Sequence, residues 1–205
     1  MISVSGAVSW AEQSAYFTKR RLQQDGYTLA QIQQGLAWNQ TVDRWLQTGA
    51  AYSVYRQGLA AAPPGCQEPM SESRWNFARR NLGADVRSSL AGVRVPVLAL
   101  YGEYDRNIDV EQSLAVYRGL LGNSANRHSA VRLFPKADHG LIPVERPVQV
   151  DGRGSLNNIL RLLRIEFLGE EAFAPGFIDA QLDWLREIMP VGTGAASRAE
   201  SGASS

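Results

Sequence analysis

The sequence predicts an α/β protein in which a partial parallel sheet carries a separate helical region, and three observations predict it. An unbroken apolar run, Val95-Pro96-Val97-Leu98-Ala99-Leu100-Tyr101, stands between Gly92 and Gly102. It is apolar on both faces, as suits a central parallel strand covered by helices on both sides, with Pro96 confined to its first positions. A helical stripe and then the alternating run Ala130-Val131-Arg132-Leu133-Phe134 follow, so strand, helix and strand come in the order of a βαβ unit. Ahead of them, residues 9–92 carry helical signals almost throughout.

The elements follow in order. Met1 to Ser5 is a short β-prone run closed by Gly6, and it reads as the end of a further strand. Ser9-Trp10-Ala11-Glu12 has capping-box spacing, and Gly26 supplies a stop, which predicts a helix from about Trp10 to Asp25. Thr28 with Gln31 repeats that spacing, and Ile32, Leu36, Val42, Trp45 and Leu46 form a stripe that ends near Gly49. A short helix is expected over Ala51 to Ala62, a break at Ala61-Ala62-Pro63-Pro64-Gly65, and another helix over Arg74 to Asn81. Asp109 is placed to cap a helix with Val110, Leu114, Tyr117 and Leu121 on one face and Gly122 as its stop. Leu156 to Phe167 is helical in pattern, and Pro175 opens a last helix with Ile178, Leu182, Leu185 and Met189 on one face. From Val191 onward the Gly/Ala/Ser-rich tail has almost nothing to bury, and residues 191–205 are expected to be disordered.

Composition narrows the function. With 205 residues, 44% hydrophobic and 20% charged, the chain can bury one sizeable core. A formal net charge of +1 with scattered Lys and Arg offers no stripe to neutralise phosphates, which argues against nucleic acid. One cysteine, Cys66, excludes an intramolecular disulfide and any CxxC motif, and reads as a loop thiol. No stretch approaches the roughly 18 apolar residues of a membrane span, and the first residues lack a signal-peptide pattern. The expected location is cytoplasmic.

The chemistry lies in few residues. Of the two histidines, His139 follows the Leu133-Phe134 strand within Pro135-Lys136-Ala137-Asp138-His139-Gly140-Leu141. Asp105 follows the Leu98-Ala99-Leu100 strand within Gly102-Glu103-Tyr104-Asp105. A carboxylate and an imidazole thus each stand just past the C-terminal end of a strand, the rim where open α/β sheets bind ligands. A neutral imidazole takes a proton from a weak nucleophile and returns it to a leaving group, while a carboxylate on its other nitrogen fixes the tautomer. Taken singly, such a histidine is more often a surface or hydrogen-bonded structural residue and such an aspartate a common turn residue; their order and their two strand ends make the case. Glu103 and Asp109 are alternatives to Asp105, although Asp109 is better explained as a cap. Asp138 either tunes the imidazole or is a solvated loop charge. Trp10, Trp38, Trp45, Tyr52, Tyr55 and Trp75 either line an apolar pocket or pack, and packing is the default for aromatics. Two histidines and one cysteine far apart do not suggest a zinc site.

The segment from Val95 to Asp105, followed by Ala137-Asp138-His139-Gly140-Leu141, resembles the last third of the α/β-hydrolases. In that family one motif of this kind carries the acid and the other the general base. The resemblance implies that Asp105 is the triad acid and His139 the base. It also implies that residues 1–8 are a strand end of the hydrolase core, 9–92 a helical cap insertion of the acyl-hydrolase or prolyl-oligopeptidase-like kind, and 93–190 the C-terminal part of the core. Neither cofactor nor metal is implied; the expected substrate is a small ester or acyl compound, or a peptide. The departure is the nucleophile. The Gly-x-Ser-x-Gly elbow of the family, which precedes the acid and the base in chain order, does not occur here. Ser5 lacks the preceding glycine and reads as a strand end, and Gly122-Asn123-Ser124-Ala125-Asn126 reads as a loop. The expectation is therefore a serine hydrolase whose nucleophile lies upstream, on the order of 20–30 residues before Met1 from the size of a βαβ connection, with this chain inactive alone. A carboxylate nucleophile would make it a dehalogenase or epoxide hydrolase. The alternative is a non-catalytic binding or assembly module that self-associates through an exposed sheet edge.

Overall fold

The computed structural model describes residues 1–122, 127–147 and 156–189. Three strands, β1 (Ile2–Val4), β2 (Leu98–Gly102) and β3 (Ala130–Phe134), pair in parallel in the spatial order β1-β2-β3, with Ile2 opposite Leu98 and Leu98 opposite Ala130. The central place of β2 follows from its composition. Every one of its residues is buried, and alternate side chains feed two separate cores. Val97, Ala99 and Tyr101 pack with Leu114, Tyr117 and Leu121 of α6 (Val110–Gly122), and with Leu90 of α5 (Val86–Ala91). Leu98 and Leu100 pack on the other face with Phe134, Leu141 and, from α8 (Phe177–Ile188), Phe177 and Trp184. Helices thus cover both faces of the sheet, the arrangement expected of an apolar run too continuous for a half-exposed strand.

Residues 9–92 are helical: α1 (Trp10–Gln24), α2 (Leu29–Gln47), α3 (Tyr52–Gly58) with a following 3-10 turn (Leu59–Ala61), α4 (Glu72–Asn81) and α5. Their own core is Val42, Leu46, Tyr55, Trp75, Ala78 and Leu82. The chain leaves the sheet and returns to it at one place, because Val86 N–H donates to the Val8 carbonyl at 2.9 Å and Trp10 N–H to the Ala84 carbonyl at 3.0 Å. The helical region is therefore an insertion closed at its neck by backbone hydrogen bonds.

Local signals hold at most boundaries. At Thr28 the capping box is complete, and α1 and α2 both stop at glycines in the left-handed region, Gly26 (φ 79°) and Gly49 (φ 71°). Asp109 caps α6, accepting from Gln112 N–H at 3.0 Å. Other expectations fail. Ser9 makes no side-chain cap bond; Glu12 accepts instead from the Arg87 guanidinium and the Gln112 side-chain amide. The six-residue α5, capped by Asp85, is too short to show a period and carried no separate expectation. In α8 the buried side chains are Phe177 and Trp184, with Ile178 and Leu185 packed beside them, whereas Leu182 and Met189 are exposed. Helix α8 begins at Phe177 behind Gly176, two residues after Pro175. The strand expected over residues 95–101 begins only at Leu98, since Val97 N–H is taken by the Ser129 hydroxyl. Helix α7 (Leu156–Leu168) forms as expected; the proposed tail 191–205 and residues 123–126 of the half-matching serine loop lie outside the described residues. No helix among the described residues is long and apolar enough to cross a membrane.

Candidate active site

The site is built at the C-terminal rim of the sheet, where the chain leaves β2 and β3. After Gly102 the chain turns at once, with Asp105 N–H donating to the Gly102 carbonyl at 3.2 Å. The Asp105 side chain is fully buried there. One carboxylate oxygen, Oδ1, accepts the Asn107 N–H at 2.7 Å, and the other, Oδ2, lies 2.8 Å from His139 Nδ1. With the carboxylate ionised it can only accept, and the contact then fits the tautomer that carries its proton on Nδ1 and leaves Nε2 as the basic nitrogen. The His139 side chain is 37% exposed, whereas its carboxylate partner has no exposed surface.

His139 stands on a tight turn after β3. The turn is closed by backbone bonds from Asp138 N–H to the Ile142 carbonyl at 3.0 Å and from Val144 N–H to the Lys136 carbonyl at 2.8 Å. Lys136 (φ 54°) and Leu141 (φ 57°) adopt the left-handed region, which costs a non-glycine residue about 1–2 kcal/mol. At Leu141 the cost is offset by a side chain with no exposed surface, sunk among Leu98, Leu100 and Phe177.

The two loops touch through their backbones. Tyr104 N–H donates to the Ala137 carbonyl at 2.8 Å and Glu103 N–H to the Phe134 carbonyl at 2.9 Å. Gly102 makes this approach possible: a Cβ there would lie 2.4 Å from the carbonyl oxygens of both Ala137 and Asp138. From the other side, Ser5 sits just past β1 with φ 49°, and its hydroxyl donates to the His139 carbonyl at 2.9 Å. All three strands thus contribute to holding one histidine.

The other residues singled out in the sequence separate clearly. Glu103 is exposed and accepts from Lys136 N–H at 2.9 Å, and Asp109 is the α6 cap, so the carboxylate on the His139 ring is that of Asp105. Ser5 touches the histidine main chain rather than the imidazole. Asp138 is not a solvated loop charge: it has no exposed surface and pairs with Arg161 of α7. The second histidine, His128, is half-exposed beside Glu187, 2.9 Å away. Burial pushes the Cys66 thiol up, with Arg21 opposing, so it is not an activated thiolate. Among the described residues no group of three or more His, Cys, Asp or Glu side chains is placed to hold a metal ion.

Two hollows flank these elements. One of about 490 Å³ is edged by Asp105 and lies between α1 (Tyr16, Lys19, Arg20) and the start of α6 (Val110, Leu114). The other, about 210 Å³, lies inside the helical region between Trp10, Trp38, Tyr55 and Asp43. Of the aromatics in question, Trp75 is wholly in the core, stacked on Tyr55 at 5.0 Å, and Trp45 packs edge-on against Trp38 at 5.6 Å. Packing is thus the role of Trp75 and Trp45, and the hollow that Trp10, Trp38 and Tyr55 edge is not apolar, since Arg21, Asn39, Asp43, Glu68 and Arg74 line it as well. The sequence marks Ser5 only as a strand end and Gly102 only as the flank of a strand, and it carries no signal for the pairing of Arg161.

No protein-family model matches this chain, and no curated protein or solved structure does either.

Proposed function

We propose that this chain carries the acid and the general base of an α/β-hydrolase that cleaves ester or acyl bonds, with amide bonds open to the same chemistry. The observation that carries the reading is the 2.8 Å contact between His139 Nδ1 and the buried Asp105 carboxylate, at the C-terminal rim of a parallel sheet. In this reading His139 Nε2 removes the proton of a nucleophilic hydroxyl as it attacks the acyl carbon. The imidazolium then returns that proton to the leaving group, and a water molecule releases the acyl-enzyme by the same two transfers. Asp105 stabilises the imidazolium without itself taking up the proton. The nucleophile is supplied by residues other than these 205, since Ser5 is bound to a main-chain carbonyl and no elbow sequence is present.

A fluorophosphonate probe tests this. It should leave the 205-residue chain unlabelled, label a protein extended through the upstream reading frame, and fail again when His139→Ala is introduced into the extended protein. An upstream frame with no serine, cysteine or aspartate elbow, or labelling indifferent to His139, would defeat the proposal.

A second reading, a non-catalytic assembly module, is favoured by two features. Helix α7 leaves Leu162 (67%) and Phe167 (80%) exposed together with Ile159 and Leu160, and among the described residues no strand covers the outer edge of β1. Light scattering separates the two: a soluble, sharply melting particle supports a self-sufficient module, and aggregation supports part of a larger hydrolase.

A further inference from the structure

We infer that Asp138 is a positioning residue for His139, with Arg161 of α7 as its counter-ion. The catalytic meaning of the inference rests on the hydrolase reading above, but the geometry is independent of it. A carboxylate with no exposed surface is stable only when its oxygens are satisfied and its charge is paired. Asp138 Oδ1 accepts the Gly140 N–H at 2.9 Å, the Ile142 N–H at 3.2 Å and Arg161 Nη2 at 3.0 Å, while Oδ2 is held by Arg161 Nη1. Its main chain closes the same turn, donating to the Ile142 carbonyl at 3.0 Å and accepting from Leu141 N–H at 2.9 Å. One side chain therefore fixes the curvature of residues 138–142, and His139 is the second residue of that turn.

The charge is needed as well as the shape. The carboxylate receives two amide protons and both terminal nitrogens of a guanidinium, and an asparagine could present only one acceptor oxygen to them. Burial and the like charge of Arg164 lower the Arg161 guanidinium from its ordinary range, and the carboxylate it is paired with is that of Asp138. Gly140 completes the arrangement, because a Cβ there would stand 2.7 Å from Arg161 Nη2. The two tethers of His139 itself, Asp105 on the ring and Ser5 on the carbonyl, fix its ends, and Asp138 sets the bend between them.

The test is the downfield proton resonance of His139 Nδ1 in the full chain labelled with ¹⁵N-histidine, assigned by its loss in His139→Gln and sensitive to Asp105→Asn. Asp138→Asn and Arg161→Gln should remove this resonance or speed its exchange with water by about tenfold or more, as the turn opens more often. Arg161→Lys, which keeps the charge, should restore much of it. Circular dichroism identifies folded variants, and if Asp138→Asn does not fold, the contrast between Arg161→Gln and Arg161→Lys decides. Wild-type resonance and exchange in folded Asp138→Asn or Arg161→Gln would overturn the inference and leave the hydrolase reading standing. A wild-type chain with no such resonance would overturn both.

Discussion

Replacing Gly102 with alanine is the sharpest test of how the site is assembled. The backbone at Gly102 is ordinary strand, so glycine is there for space rather than for conformation. An added methyl carbon would lie 2.4 Å from two carbonyl oxygens and 2.8 Å from the Ala137 carbonyl carbon. All three are main-chain atoms, so no side chain can rotate out of the way, and the acid and histidine loops must separate by the better part of an ångström. Overpacking of this kind costs about 1–3 kcal/mol. Stretching the Tyr104-to-Ala137 and Glu103-to-Phe134 hydrogen bonds adds about 0.5–1.5 kcal/mol for each bond lost. The expected total is about 2–6 kcal/mol if both bonds are lost, read as a lower midpoint in urea, or roughly 4–24 °C in melting temperature for a domain of this size. In a variant that still folds, the His139 Nδ1 contact with Asp105 should weaken as well. A Gly102→Ala protein within about 0.5 kcal/mol of wild type would refute the claim that the two loops are fixed through their backbones.

Three further outcomes follow from the same structure. Gly119→Ala, on the exposed side of α6 with nothing within 4 Å of its new methyl, should stabilise the protein by about 0.5–1 kcal/mol in the same urea assay. Thr28→Ala removes the hydroxyl that accepts from Gln31 N–H at 3.3 Å and should cost about 1 kcal/mol, with loss of helical signal concentrated at the start of α2 in amide exchange. Burial raises the Asp43 carboxyl above its ordinary range, so the folded chain holds that proton more tightly than the unfolded one. The stability this group contributes is present at acid pH, below its unfolded value, and is lost as pH rises through its folded value. Asp43→Asn should therefore be the more stable protein in melts at pH 7, with a difference that shrinks on acidification; a less stable variant at pH 7 would contradict the burial argument.

Much of this was legible locally. The β2 run is apolar on both faces because two cores meet it, whereas β3, at one side of the described sheet, leaves both Arg132 and Leu133 exposed. Thr28, Gly26, Gly49 and Asp109 act within one helical turn of themselves, which is why their sequence signals sufficed. Asp105 and His139 could be paired because each follows its strand by only a few residues and the strands are neighbours. What escaped depends on partners far along the chain. Asp138 seemed solvated because Arg161, 23 residues on, is what permits its burial. Glu12 looked like half of a capping box until Arg87, 75 residues away, claimed it. On α8 the buried face includes Trp184 rather than Leu182, and the Trp184 indole N–H finds its partner in the His128 carbonyl, 56 residues back along the chain at 2.6 Å.

The parallel pairing of β1 with β2 also bears on the order in which the chain folds. Ile2 meets Leu98 across 96 residues (98 − 2), whereas Leu98 meets Ala130 across 32 (130 − 98). For flexible chains, closing the longer loop costs about 1 kcal/mol more entropy than closing the shorter, since the ratio of lengths is three. The β2-α6-β3 unit therefore has the kinetic advantage, and β1 docks afterwards. If the helices between them form first, the neck at Val8 and Val86 brings Met1 close to its berth, and the intervening residues cease to behave as a loop at all.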